Sequence, residues 1–234
     1  MRLIVTRPRS DGERTQAALV QAGHRAILAP LFEIQRLTGP PLSLKGVNAL
    51  IATSANAVEA LAARTKSRDL PLFVVGPHSA AVAHNAGFTT VCSGNGGADA
   101  LVSYILQRLP PACSVLFHAA PAQSAGTLEA ELSRHGYTLQ REILYEARAV
   151  RTLPHAAAEC LSAGTADGVL FYSPRSARTF ARLVTEAGLA PRCRGLHAFC
   201  ISAKAAQGIA HLPFATRRIA PQSDHSGMMA LLPP

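Results

Sequence analysis

Residues 49–61 read ALIATSANAVEAL, and residues 169–180 read VLFYSPRSARTF. In each, an apolar run ends at a serine, Ser54 or Ser173, a short polar turn follows, and a helical pattern begins. The echo continues downstream. FVVGPHSA at 73–80 is answered by FCISAKAA at 199–206, and CSGNGGADALVSYIL at 92–106 by APQSDHSGMMALL at 220–232. The N-terminal LIVTRP at 3–8, with LVQAG at 19–23, recurs as VLFHAAP at 115–121 with LSRHG at 132–136. The pairs lie about 113–128 residues apart, and self-similarity at a steady period is a signal about the whole fold. It predicts two similar lobes with a cleft between them.

A chain of 234 residues, 48% hydrophobic and 16% charged, has material for one large or two small cores. No apolar run approaches the roughly 18–20 residues that span a bilayer. MRLIVTRP at 1–8 is too short for a signal peptide. The expected compartment is the cytoplasm, with no membrane partner. Cys92, Cys113, Cys160, Cys193 and Cys200 show no C-x-x-C spacing and read as reduced thiols. A single reactive thiol among them stays open. The net charge of +9 comes from 20 Arg and 3 Lys against 14 acidic residues. One reading is an arginine-rich composition; the other is an anionic partner gripped by planar guanidinium forks. Nucleic acid is disfavoured, because aromatics are 5%, Trp is absent and Arg is spread along the chain.

Strand and helix patterns alternate along most of the chain. Apolar strands are expected at 2–6 and 25–28, around a helix at 13–22 that Gly23 ends. Four strand–helix units follow: 48–53 with 55–64, 71–75 with 78–86, 89–92 with 98–108, and 114–118 with 125–135. After a helix at 154–162 come 167–172 with 175–187, 197–201 with 203–211, and 216–219 with 226–232. Such alternation means βαβ units and a parallel sheet covered on both faces. Two long extended segments, 31–37 and 143–150, flank the middle. The expected architecture is α/β: two similar Rossmann-like domains, one inserted in the other, joined by a two-stranded β linker. The outer domain would be 1–34 plus 149–234 and the inserted one 38–144, with linker strands at 35–37 and 145–148. The repeat supports insertion, since its units run b-c-d-a in the middle but have a first and b-c-d last in the outer copy.

Ligands of open α/β sheets bind beyond the carboxyl ends of the strands. Those ends carry Arg7, Thr53, Ser54, Asn56, His78, Ser79, His118, Ser173, Arg175, Ser176 and Lys204. They are small, hydroxylated or basic, and loops that expose N–H groups at helix N-termini suit anions. Ser and Thr there also read as helix N-caps. No G-x-G-x-x-G or P-loop spacing occurs, SGNGGAD at 93–99 reads as a turn, and the His and Cys residues lack metal-ligand spacing. No G-x-S-x-G elbow surrounds Ser54 or Ser173. The pattern is that of a cleft that grips an anion and does little covalent chemistry.

The chain resembles the uroporphyrinogen-III synthase family. The matching stretches are VTRP at 5–8, ATSANAVEAL at 52–61, VVGPHSAAVA at 74–83, Gly136-Tyr137-Thr138 with Ile143 to Ala147, LFYSPRSARTF at 170–180 and CISAKAA at 200–206. The resemblance implies two α/β domains on a two-stranded linker. It implies cyclisation of hydroxymethylbilane with loss of water and inversion of ring D, through a spiro-pyrrolenine, with no metal or organic cofactor. It places Tyr145 as the cleft tyrosine that assists loss of the hydroxyl. Thr53, Ser54 and Ser173 match hydroxyls of the two domains, and Ser79 matches a threonine whose second copy is Ala205. The family's L-R-G strand end is here Leu116 to Ala120, without Arg or Gly, and His118 is the candidate replacement. The implied partner is a polycarboxylate tetrapyrrole, with transient contact to the bilane-producing enzyme, and the expected state is a monomer. A non-catalytic two-lobed protein for a small anionic ligand is the rival reading. A synthase-like domain that has lost activity is a third.

Overall fold

The computed structural model describes residues 1–94, 98–111, 114–123 and 127–233. Cys113 and the centre of the 93–99 turn lie outside them, as do the first two residues of the helix expected at 125–135. Along the chain run β1 (Arg2–Val5), α1 (Arg9–Gln21), β2 (Arg25–Leu28), β3 (Phe32–Arg36), β4 (Ala49–Ala52), α2 (Ala55–Arg64) and β5 (Leu72–Val75). Then come α3 (Gly76–Asn85), β6 (Val91–Gly94), α4 (Ala98–Arg108), β7 (Val115–Pro121), α5 (Thr127–Arg134) and β8 (Thr138–Ala149). Last are α6 (His155–Ser162), β9 (Gly168–Phe171), α7 (Pro174–Glu186), β10 (His197–Cys200), α8 (Ala203–Gln207), β11 (Thr216–Ile219) and α9 (His225–Met229).

The chain forms two units, Met1–Glu33 with Arg148–Pro234, and Ile34–Ala147. The first holds a five-stranded sheet, β11-β10-β9-β1-β2, parallel throughout. The other sheet runs β3-β8-β7-β4-β5-β6, parallel from β8 to β6. Apart from β3 the two orders correspond: β7 to β1, β8 to β2, and β4, β5, β6 to β9, β10, β11. The register supports the match. Leu3 pairs with Gly168 and Leu116 with Ala49, five residues before Ser173 and Ser54 respectively. Arg7 therefore answers Ala120, Pro8 answers Pro121, Thr53 answers Tyr172, and Val5 answers His118.

Both strands that cross between the units, β3 and β8, are neighbours. Leu37 N–H donates to the Leu144 carbonyl and Val150 N–H to the Leu31 carbonyl, so they run antiparallel. Strands buried on both faces form the cores. In the inserted unit Leu50, Leu61, Val74 and Phe117 pack on one face of the sheet, and Ile51, Phe73, Leu101 and Leu116 on the other. In the outer unit Leu3, Val5, Leu19, Leu170 and Phe199 gather on one face.

Several elements differ from expectation: β6 lies two residues later than 89–92, α9 ends three residues before 232, and β8 begins five residues before 143. Helix α1 starts at Arg9, four residues before the expected 13, because Pro8 sits at its N-cap and its carbonyl takes the Gly12 N–H at 2.8 Å. The polar RSDGER opening hides this turn from any apolar periodicity. Regular α8 stops at Gln207, and bonds three residues apart carry the chain on through Leu212. A short 3-10 turn at Ala190–Gly195, pinned by buried Cys193, is new. Among the described residues no helix is long and apolar enough to cross a membrane.

Candidate functional site

In the inserted unit the strand ends place Ser54 directly after β4, as the N-cap of α2. Its Oγ accepts the Ala57 N–H at 3.1 Å. The same Oγ lies 2.9 Å from the hydroxyl of Tyr145 on β8. Tyr145 is 7% exposed, and burial pushes its pKa above the ordinary tyrosine value despite the opposing Ser54 bond. The phenol therefore carries its proton at neutral pH and can serve as an acid. Thr53 and Asn56 flank this pair, both half-buried. His78 and Ser79 lie in the first turn of α3, with Ser79 buried.

The expectation that His118 offers a contact to substrate is corrected. The side chain is 2% exposed on β7, at the position matching core residue Val5. Its Nδ1 lies 2.9 Å from Glu129 of α5, which also accepts from Arg141 Nε at 3.0 Å. The place of Arg7 falls on Ala120 in this copy, two residues further on.

In the outer unit Ser173 repeats the role of Ser54. It caps α7, accepting the Ser176 N–H at 3.0 Å, and the Ser176 hydroxyl donates to the Ser173 carbonyl at 2.9 Å. The hydroxyl of Ser176 thus serves the cap. Arg175 lays its guanidinium 4.4 Å from the centre of the Phe32 ring. Lys204 is exposed on α8, beside the Ser202 N-cap.

Sequence reasoning named Arg7 but missed the group that surrounds it in this unit. Arg7 sits over the ring of Tyr172 at 4.3 Å and pairs with Asp11 at 3.2 Å. The Tyr172 hydroxyl lies 2.9 Å from His225 Nδ1. Arg7, Tyr172 and His225, with Arg14, Thr15, Ile201 and Asp224, line a cavity of about 300 Å³. A tyrosine next to a strand-end serine was visible in FYSPRS, but its partner lies 53 residues downstream.

The family model described as uroporphyrinogen-III synthase matches residues 13–230. The crystal structure of uroporphyrinogen-III synthetase from Helicobacter pylori 26695 is similar over 99% of this chain and 98% of its own, with 16% identity and a TM-score of 0.64. A mutant uroporphyrinogen III synthase from Thermus thermophilus gives 15% identity and a TM-score of 0.51, over 99% and 97% of the two chains. No curated protein sequence matches. At such identities the solved structures speak for the fold, and the family model speaks for descent over nearly the whole length. Together with a doubled parallel sheet whose strand ends carry capped serines, they place the chain: it belongs to the uroporphyrinogen-III synthase family.

Proposed function

We propose that the chain performs its family's cyclisation chiefly by positioning hydroxymethylbilane, with Tyr145 as the one acid. The single observation that carries this is the Tyr145–Ser54 pair, a buried phenol hydroxyl held 2.9 Å from the N-cap hydroxyl that follows β4. Loss of the bilane's hydroxyl as water needs a proton, and Tyr145 donates it. Attack by the substituted carbon of ring D gives a spiro-pyrrolenine. The bond from that carbon to its original bridge breaks and re-forms at the free carbon, whose proton is then lost on rearomatisation and restores the phenol. Attack at the substituted carbon of ring D, instead of the free carbon, is a matter of geometry, and fixed geometry lowers barriers without covalent help. The groups proposed to meet the substrate's carboxylates lie in the loops after the strands: Thr53, Asn56, His78 and Ser79 in the inserted unit, and Arg7, Ser173, Arg175 and Lys204 in the outer one. N–H groups and hydroxyls at helix N-termini favour such anions.

On this reading the protein acts as a cytoplasmic monomer and takes the unstable bilane in transient contact with the enzyme that makes it. The test supplies freshly made hydroxymethylbilane, oxidises the product and separates the isomers. Isomer III well above the protein-free mixture is expected. A mixture matching the control sinks the reading.

A further inference from the structure

The carboxyl ends of four neighbouring strands, β11, β10, β9 and β1, ring the cavity of about 300 Å³ in the outer unit. Asp224 and His225 follow β11, Ile201 follows β10, Tyr172 follows β9 and Arg7 follows β1. That volume is at the lower end for ligand pockets and suits a substituent arm, not a whole tetrapyrrole. Its walls are rich in donors. Both carboxylates near it are already engaged. Asp11 binds Arg7 and Arg14, and Asp224 spends an oxygen on the Gly227 N–H at 2.7 Å as the N-cap of α9. The two guanidinium groups keep more N–H donors than Asp11 can occupy.

We propose that this cavity is a carboxylate-binding subsite for one acetate or propionate arm of the tetrapyrrole, with Arg7, Arg14 and His225 as donors and Tyr172 as its floor. It rests on the function proposed above. Tyr172 keeps its proton because burial raises its pKa, and its hydroxyl shares one hydrogen bond with His225 Nδ1, which leaves Nε2 for the ligand once the imidazole is protonated. Burial, then Arg7 and Arg14, hold the His225 pKa below its usual value, with only Asp224 opposing. Arg7 and Arg14 thus add to burial in disfavouring a further cation there. An arriving carboxylate reverses that and raises the His225 pKa. The subsite is one-sided, since the counterparts of Arg7 and Tyr172 in the inserted unit are Ala120 and Thr53.

The test compares wild type with Arg14→Gln and His225→Gln. Each loses a charged or polar contact to a carboxylate, so KM for hydroxymethylbilane should rise about tenfold with kcat changed less than about threefold. Binding of uroporphyrin I, a stable octacarboxylate, followed by fluorescence, should weaken by a similar factor without turnover. Arg14→Lys should restore part of the loss. In the wild type, the ring protons of His225 should titrate at higher pH with uroporphyrin I bound. Unchanged KM and uroporphyrin binding in folded, active variants, or a His225 titration that bound uroporphyrin I leaves unmoved, overturn the subsite while leaving the enzyme reading intact. A wild type that makes no excess of isomer III strikes the enzyme reading itself, and the porphyrin binding data then judge the pocket alone.

Discussion

Tyr145 and Phe32 stand at matching places in the two copies, counting on from paired strand residues Arg141 and Leu28. Only one of the two carries a hydroxyl, so only one copy can place an acid beside its capping serine. Tyr145→Phe keeps the packing and removes the proton donor. Isomer III formation should fall by less than about a hundredfold, the low end for a positioned acid, because the bilane closes readily and positioning remains. Ser54→Ala should cost about 1 kcal/mol through the lost N-cap and lower the rate further only slightly. Complete loss of activity in either folded variant would shift the weight from positioning to chemistry. His118 makes a different point. Burial holds its pKa below the ordinary value of 6.5, against the pull of Glu129. Between the folded value and 6.5, the unfolded chain binds a proton that the folded chain refuses. Stability is therefore flat above pH 6.5 and falls as the pH drops below it. Glu129, whose pKa is lowered by its own backbone, His118 and Arg141 despite burial, adds a further loss as the pH falls through its folded value. His118→Val copies the residue at the matching place, Val5. Urea midpoints at about pH 7.5 and about pH 5.5 should differ less in this variant than in the wild type. Equal differences would assign the acid sensitivity to other groups.

At the scale of elements, the strands were legible because each is a short apolar run closed by a small or hydroxylated residue. Helices α2 and α7 were legible through Ser54 and Ser173, where capping and periodicity agree. What stayed hidden has a common cause: contacts between segments distant in sequence. The buried setting of His118 depends on Glu129 across α5, and the Tyr172–His225 pair joins the ends of β9 and β11. Nothing local in LFHAAP distinguishes a buried imidazole from a cleft ligand; only the register, which sets His118 opposite Ile51, does so. Among the described residues Cys92, Cys160, Cys193 and Cys200 are free thiols, as their spacing suggested, but nothing local showed which are inert. Burial pushes Cys193 and Cys200 up to about 11, far from a reactive thiolate. Gly168, at the start of β9, shows how tightly one element is fitted. A Cβ there would meet the His197 carbonyl at 2.7 Å and the Phe199 ring at 2.8 Å. Backbone cannot yield as a side-chain tip does. Gly168→Ala should destabilise the outer unit by about 1–3 kcal/mol, the usual cost of overpacking. Thermal denaturation measures it, and an unchanged midpoint would mean that β9 and β10 separate at little cost.

At the scale of the molecule, the permuted repeat is an insertion, and an insertion carries a consequence for folding. Each unit has a sheet of its own, with apolar clusters of its own on it. Among the described residues, apart from β3 and β8, no strand of one sheet belongs to the other unit. The segment 34–147 is of ordinary domain length, and its ends leave along neighbouring antiparallel strands. It should therefore fold when expressed alone. The remainder has a matching property: Val150 N–H donates to the Leu31 carbonyl at 3.0 Å, so Glu33 and Arg148 can be joined by a short Gly/Ser linker. Both pieces should unfold cooperatively in urea and give dispersed amide spectra. Neither should yield isomer III above the protein-free mixture, because the proposed acid, Tyr145, is in one and the proposed carboxylate subsite, with Arg7 and His225, is in the other. Uroporphyrin I should still bind the joined outer piece, and Arg14→Gln should weaken that binding. A segment 34–147 that stays unfolded alone would show that its core depends on the outer unit, and that the two copies fold as one body despite their separate sheets.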